Sequence, residues 1–318
     1  MNKLNIAIAA EFELCEKIAD FLQNSGLEIN QLSIVEIYPF NEEQGVRFNN
    51  KTVPQVAMDS VNWADFDYVL FAGEPTLAPH IANAVEVGCK VIDVLGVCAE
   101  ISGVPVIVPS VNDEQINEIL PHNIIALPNP QVTQTALALA TLVQQIPLNQ
   151  VMITSLLPAS YQNAETVGKL AGQTARLLNG IPLDDNEQRL AFDVFPQTSH
   201  FSNQLAKIFP GLNTIFHAIQ VPVFYGMAQK ITALSDYEID TERLEQQWQQ
   251  NDFIQFEGNL MTPVLNGEKE STEEAVKLHI NSLTAVENGV EFWTVADEQR
   301  FNLAFLAVRL LAKIHQKF

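Results

Sequence analysis

Cysteine is scarce in this chain, with only Cys15, Cys89 and Cys98 among 318 residues. Three scattered thiols build neither a disulfide framework nor a zinc site, and a reducing cytoplasm is the simplest setting for them. Basic residues are scarce too: 17 Lys and Arg stand against 38 Asp and Glu, a formal net charge of −21. Nucleic acid and anionic membrane surfaces reward basic patches, so neither is expected as a partner. The six histidines, His80, His122, His200, His217, His279 and His315, show no H-x-x-x-H spacing, and no metal is expected. Long apolar runs are absent, and none reaches the ~18 residues of a membrane span. The apolar opening up to Ala10 is short and meets Glu11 and Glu13 at once, so it reads as a first buried strand rather than a signal peptide.

What remains is ordinary globular composition, 47% hydrophobic and 17% charged. The length suits two domains of about 150 residues. Strand-like and helix-like segments alternate through the first half. Leu4–Ala9 reads as a strand, Glu13–Gln23 as a helix with Gly26 as its stop, and Ser33–Ile37 and Tyr68–Phe71 as strands. Ala78–Val87 is helical, and Lys90–Val94 and Val104–Val108 are further strands. This rhythm predicts a parallel, doubly wound α/β sheet. Beyond Pro128-Asn129-Pro130 the spacing predicts an amphipathic helix over Thr133–Gln145. Its apolar stripe (Ala136, Leu137, Ala140, Leu142, Val143) suits core packing or a dimer interface. A strand over Val151–Leu157 and a helix over Val167–Leu178 come next. Gln220–Phe224 and Val290–Val295 read as strands of a second sheet. The Gln-, Glu- and Asn-rich stretch 241–274 suits a surface excursion, and Glu298–Gln316 reads as one long closing helix.

Several of these segments resemble the aspartate-semialdehyde dehydrogenases, in particular their Usg-type branch. Phe71-Ala72-Gly73 is similar to that family's S-A-G turn, and the stretch Ala84 to Asp93 to the approach to its D-N-S-S-A-F-R loop. Val104 to Asn112 resembles V-P-L-V-V-P-E-V-N. Leu170 to Pro182 is close to the Usg-type helix, Val221 to Gln229 to P-V-F-Y-G-H-A-Q, and Phe292 to Asp297 to the lead into the closing helix. The matches run in order from the first strand to the last helix. They imply a Rossmann-like NAD(P)-binding domain over 1–127 with 298–318, and an α+β dimerisation and former catalytic domain over 128–297. A homodimer is implied, as are NADP as cofactor, a nucleophilic cysteine, a histidine base and arginines that grip carboxylate and phosphate.

Each implied part can be looked up in this chain. Aligning the first strand with the family's puts Ala10, Glu13 and Glu16 at the glycines of its dinucleotide loop. The register could slip by one, but no glycine occurs between Met1 and Gln23. Side chains there block close approach and carboxylates repel phosphate; as plain structure they complement a helix start. Pro130 stands for the cysteine of P-N-C-S-T and supplies no nucleophile, though it suits a first helical turn. Met227 stands for the histidine base and Gln220 for the substrate arginine. Ala99 replaces the phosphate arginine, and Leu306 the asparagine that meets the nicotinamide. The substrate-orienting glutamine falls on Leu157 without gaps, or on Gln162 with one. His200 lies near the family's phosphate-contacting lysine, where a solvated histidine is the plainer reading.

The resemblance with these replacements implies a pseudoenzyme, a homodimeric scaffold that needs no cofactor and acts through binding. The alternative is an NAD(P)-dependent semialdehyde dehydrogenase-type oxidoreductase of amino-acid biosynthesis with a rebuilt active site, using Cys98, Cys15 or Gln162.

Overall fold

A computed structural model describes residues 3–40, 45–119, 121–270 and 276–318. Met1 and Asn2 of the opening segment and residues 271–274 of the expected excursion lie outside them. By contact the chain divides into two units. One is Met1–Thr133 with Asn203–Ile208 and Asn302–Phe318; the other is Gln134–Ser202 with Phe209–Phe301.

The first unit begins with β1 (Leu4–Ala9), almost wholly buried, as a central parallel strand must be. In α1 (Phe12–Gln23), Leu14, Cys15, Ile18, Ala19 and Leu22 are buried at helical spacing. Then come β2 (Ile29–Glu36), the small hairpin β3 (Arg47–Phe48) and β4 (Lys51–Thr52), β5 (Gln55–Ala57) and β6 (Tyr68–Phe71). After α2 (Ala78–Glu86) follow β7 (Lys90–Asp93) and β8 (Ile124–Ala126). Strand order is β5-β2-β1-β6-β7-β8, every pairing parallel. This is the expected doubly wound sheet. The expected strand Val104–Val108 is a correction: only Val106 bridges Ala126, and β8 takes the edge position. Pro105 and Pro109 have no N–H to give a ladder, although Val104, Val106, Ile107 and Val108 are buried.

Helix α3 (Pro130–Gln145) starts three residues earlier than Thr133, with proline in its first turn. It is not amphipathic over its first part, because every residue from 130 to 140 is buried. The second unit then runs β9 (Gln150–Leu157), α4 (Ala164–Leu178), β10 (Phe195–Gln197) and α5 (Ser202–Ile208). Next are β11 (Thr214–Gln220), β12 (Met227–Leu234), α6 (Thr241–Gln249), β13 (Ile254–Phe256) and α7 (Pro263–Glu270). β14 (Leu278–Val286) and β15 (Gly289–Ala296) complete a mixed sheet of order β10-β11-β9-β12-β15-β14-β13.

Three expectations change in this half. Gln220–Phe224 is not a strand. It is the connection between β11 and β12, where Pro222 cannot donate and Gly226 turns at φ +89°. The stretch 241–274 carries α6, β13 and α7, and its Trp248 is fully buried. The closing helix opens in π-helical turns over Glu298–Phe305 before α8 (Leu306–Lys317). Most of α8 belongs to the first unit's core, with Leu306, Leu310, Leu311 and Ile314 buried. The architecture is thus a Rossmann-like parallel sheet plus an α+β unit.

Candidate functional site

Strand register in the second unit gathers three of the sequence-selected positions. Leu157 and Gln220 end β9 and β11 as direct partners, and Val221 N–H donates to the Leu157 carbonyl at 3.0 Å. Met227 opens β12, and Leu157, Ala218 and Met227 pack together with Tyr161 against them. The Gln162 amide donates to Gln220 Oε1 at 3.1 Å, while Thr166 Oγ1 donates to Gln162 Oε1 at 3.4 Å. An amide pair, a thioether and a leucine offer no nucleophile and no proton acceptor of useful basicity.

Beside them lies a residue that motif reading passed over. Glu298 is wholly buried; Ser160 Oγ donates to its Oε1, and Gly226 N–H to its Oε2 at 3.1 Å. Burial, and then the Asp297 charge, hold its carboxyl well above the ordinary carboxylate range. Gln299 Nε2 donates to the Ser160 carbonyl at 3.2 Å, so one short segment fixes two loops. Behind the strands, buried Gln134 donates to Thr294 Oγ1 at 2.7 Å. Thr135 donates to Gln229 Oε1 at 3.2 Å, and Gln229 passes the chain on to Ser155 at 3.0 Å. Glu298 hid in the sequence because an acid at a helix start ordinarily complements the dipole. Asp297 does that work, accepting from Gln299 and Arg300 N–H.

In the first unit only Ala10 and Glu11 separate β1 from α1. Ala10 is buried, Glu13 pairs with Lys17 at 3.7 Å, and Glu16 is exposed. The half-buried acid is Glu11, held above the carboxylate range by burial and by the charges of Glu13 and Glu74. Tyr38 OH accepts the Glu74 N–H at 3.3 Å, and Phe12 meets Phe40 edge-on at 5.4 Å. The carboxyl ends of the parallel strands, where such folds take ligands, are therefore lined by acid and aromatic rings.

The loop after β7 is tied from both sides. Asp93 accepts from Gly96 N–H at 3.0 Å and Cys98 N–H at 2.7 Å, with burial still pushing its carboxyl up to about 6. Gly96 sits at φ +69°, where a Cβ would come within 2.6 Å of the Leu127 carbonyl. Lys207 of α5 donates to the carbonyls of Ala99, Ile101 and Val104 at 2.5, 2.9 and 3.3 Å. An ammonium has three donors, so all of them are engaged. Lys207 is the one Lys or Arg between Arg189 and Lys230, a signal the sequence offered. His200 is exposed.

Pro130 opens α3, its carbonyl accepting from Asn302 Nδ2 at 3.4 Å, and Leu306 is buried in α8. Cys15, Cys89 and Cys98 are all buried and free, and burial pushes each thiol up to about 12. Cys15 donates to the Ala10 carbonyl at 3.4 Å. Among the described residues no group of three or more His, Cys, Asp or Glu could hold a metal ion.

No family model matches the chain. A protein of Haemophilus influenzae described as a USG-1 protein homolog is 62% identical over 316 residues, 99% of this chain and 98% of that one. Aspartate-semialdehyde dehydrogenase 2 of Vibrio cholerae is 28% identical over 327 residues, 97% of each chain. The crystal structure of aspartate semialdehyde dehydrogenase II from Vibrio cholerae superposes with a TM-score of 0.90 at 27% identity, covering 100% of both chains. Likeness over the full length, in sequence and in the pairing of a parallel with a mixed sheet, places the chain in the aspartate-semialdehyde dehydrogenase family, in its Usg-1 branch.

Proposed function

We propose that the chain is a catalytically lost homologue of aspartate-semialdehyde dehydrogenase, a homodimeric cytoplasmic scaffold that acts through binding. The observation that carries this reading is Pro130, a ring with no donor and no nucleophile in the first turn of α3, where the family resemblance implies a thiol. The chain's own thiols offer no substitute. A thiol pushed up to about 12 is almost entirely unionised at neutral pH, which weighs against a rebuilt site on Cys98 or Cys15. Gln162 is held by Gln220 and Thr166, and neither partner can activate it.

The residues also do not fit NADP. A pyrophosphate is held by free backbone N–H groups at a helix start and by spare cationic donors. Here the turn into α1 carries half-buried Glu11 with Glu74 nearby, and the amides after β7 are turned on Asp93. Lys207 has no donor left over. The replacements at Ala10, Ala99 and Leu306 point the same way. Three free thiols agree with a reducing compartment, and no helix among the described residues is long and apolar enough to cross a membrane.

Titration calorimetry of the full chain with NADPH tests the proposal. No saturable heat is expected up to millimolar ligand, and a dissociation constant in the micromolar range would overturn it.

A further inference from the structure

The opposite end of the parallel sheet carries an open cleft of about 580 Å³ at the edge where β1 begins and the chain enters β6. Its volume lies within the range of small-molecule sites. It stands away from the carboxyl ends of the strands, so it belongs to neither former catalytic nor former cofactor chemistry.

The apolar part of the lining includes Val56 of β5 and Phe66. The polar part has a one-sided hydrogen-bond inventory. Asn5 is fully engaged: its N–H donates to Asp67 at 2.8 Å, its Nδ2 to the Asp65 carbonyl at 3.2 Å, and its Oδ1 accepts from Asn30 at 2.9 Å. Gln31 gives its amide hydrogen to Ser33 Oγ at 3.1 Å, and Asn62 gives its own to Asp65 Oδ1 at 3.0 Å. What these bonds leave over is acceptor capacity: Gln31 Oε1, Asn62 Oδ1 and the second oxygen of Asp65. Among the described residues no cation pairs with Asp65. A cleft with surplus acceptors, one carboxylate without a counter-ion and an apolar wall is complementary to a donor-rich cation on an alkyl chain. The field of a chain carrying −21 draws such a ligand in.

We infer that this cleft is a binding site for a small alkyl ammonium compound, with Asp65 as counter-ion, Gln31 and Asn62 as acceptors, and Val56 and Phe66 against the methylenes. The site is independent of the cofactor reading, so either can fail alone.

The test is calorimetric titration of the full chain with 1,4-diaminobutane at low ionic strength, beside the uncharged 1,4-butanediol. One saturable diamine site is expected, weakened at least tenfold by Asp65→Asn and by Val56→Trp, which fills the cleft without changing charge. Asp20→Asn, which removes a carboxylate from α1, is expected to leave affinity unchanged, with circular dichroism confirming that each variant is folded. Equal binding of the diol, equal weakening by Asp65→Asn and Asp20→Asn, or no saturable binding overturns the inference.

Discussion

A carboxyl group with no solvent and no cation beside it, as Glu298 is, couples folding to pH. Its folded pKa lies above its unfolded one, so between the two the native state holds a proton that the unfolded chain has released. Stability therefore falls as pH rises from the ordinary carboxylate range through the raised value, and levels off beyond it. Asp93 and Glu11, shifted in the same direction, add to the slope, so the contribution of Glu298 is read as a difference. Glu298→Gln is expected to flatten urea-denaturation stability between about pH 5 and about pH 8.5. Its amide oxygen can still accept from Gly226, and the Ser160 hydroxyl can reverse its role. A variant with the wild-type slope would remove Glu298 from the account. This residue marks the limit of what single letters disclose. Pro130, Gln220 and Met227 were legible because each is one letter in a short motif. The Glu298–Ser160 and Lys207–Ala99 bonds span 138 and 108 residues, and no local pattern announces them.

Elements divided along similar lines. The parallel strands were legible because both of their faces are buried and they read as short apolar runs closed by turn residues. The mixed sheet was harder to read. Ile215 and Ile219 on the open side of β11 alternate with Phe216 and Ala218 on the other, so both faces look apolar and the strand's end slips. Helix α6 was hidden by its own surface. Only Leu244 and Trp248 are buried within it, and Gln and Glu fill the remainder. Yet it is capped by Asp240, whose side chain accepts from Arg243 N–H at 3.0 Å. It anchors Trp248, which donates to the Ala138 carbonyl at 3.0 Å, stacks on Phe256 and meets Phe292 edge-on. Trp248→Ala leaves a cavity and an unmet carbonyl, and is expected to cost about 3–5 kcal/mol in denaturant unfolding. A loss below about 1 kcal/mol would mean that α6 is a surface excursion after all.

At the scale of the whole molecule, the proposed homodimer has to overcome like charge. Two chains of −21 repel, so association should rest on apolar area and tighten as salt screens the field. The open side of the mixed sheet offers Ile215, 39% exposed, beside half-buried Ile219. Ile215→Glu is expected to shift the sedimentation of the protein from dimer to monomer with its circular dichroism intact. A dimer that survives the substitution would place the interface elsewhere. The division of the chain has a consequence of another kind, in the order of synthesis. The unit built on the parallel sheet needs residues 203–208 and 302–318, while its strands are all made within the first 133. On the ribosome those strands must wait, with the surface that α8 later covers still bare, until nearly 170 further residues have emerged, on the order of ten seconds at common elongation rates. The mixed sheet closes at β15, shortly before α8 appears, so the half made first is the half finished last, and chaperone demand should fall on the amino-terminal strands.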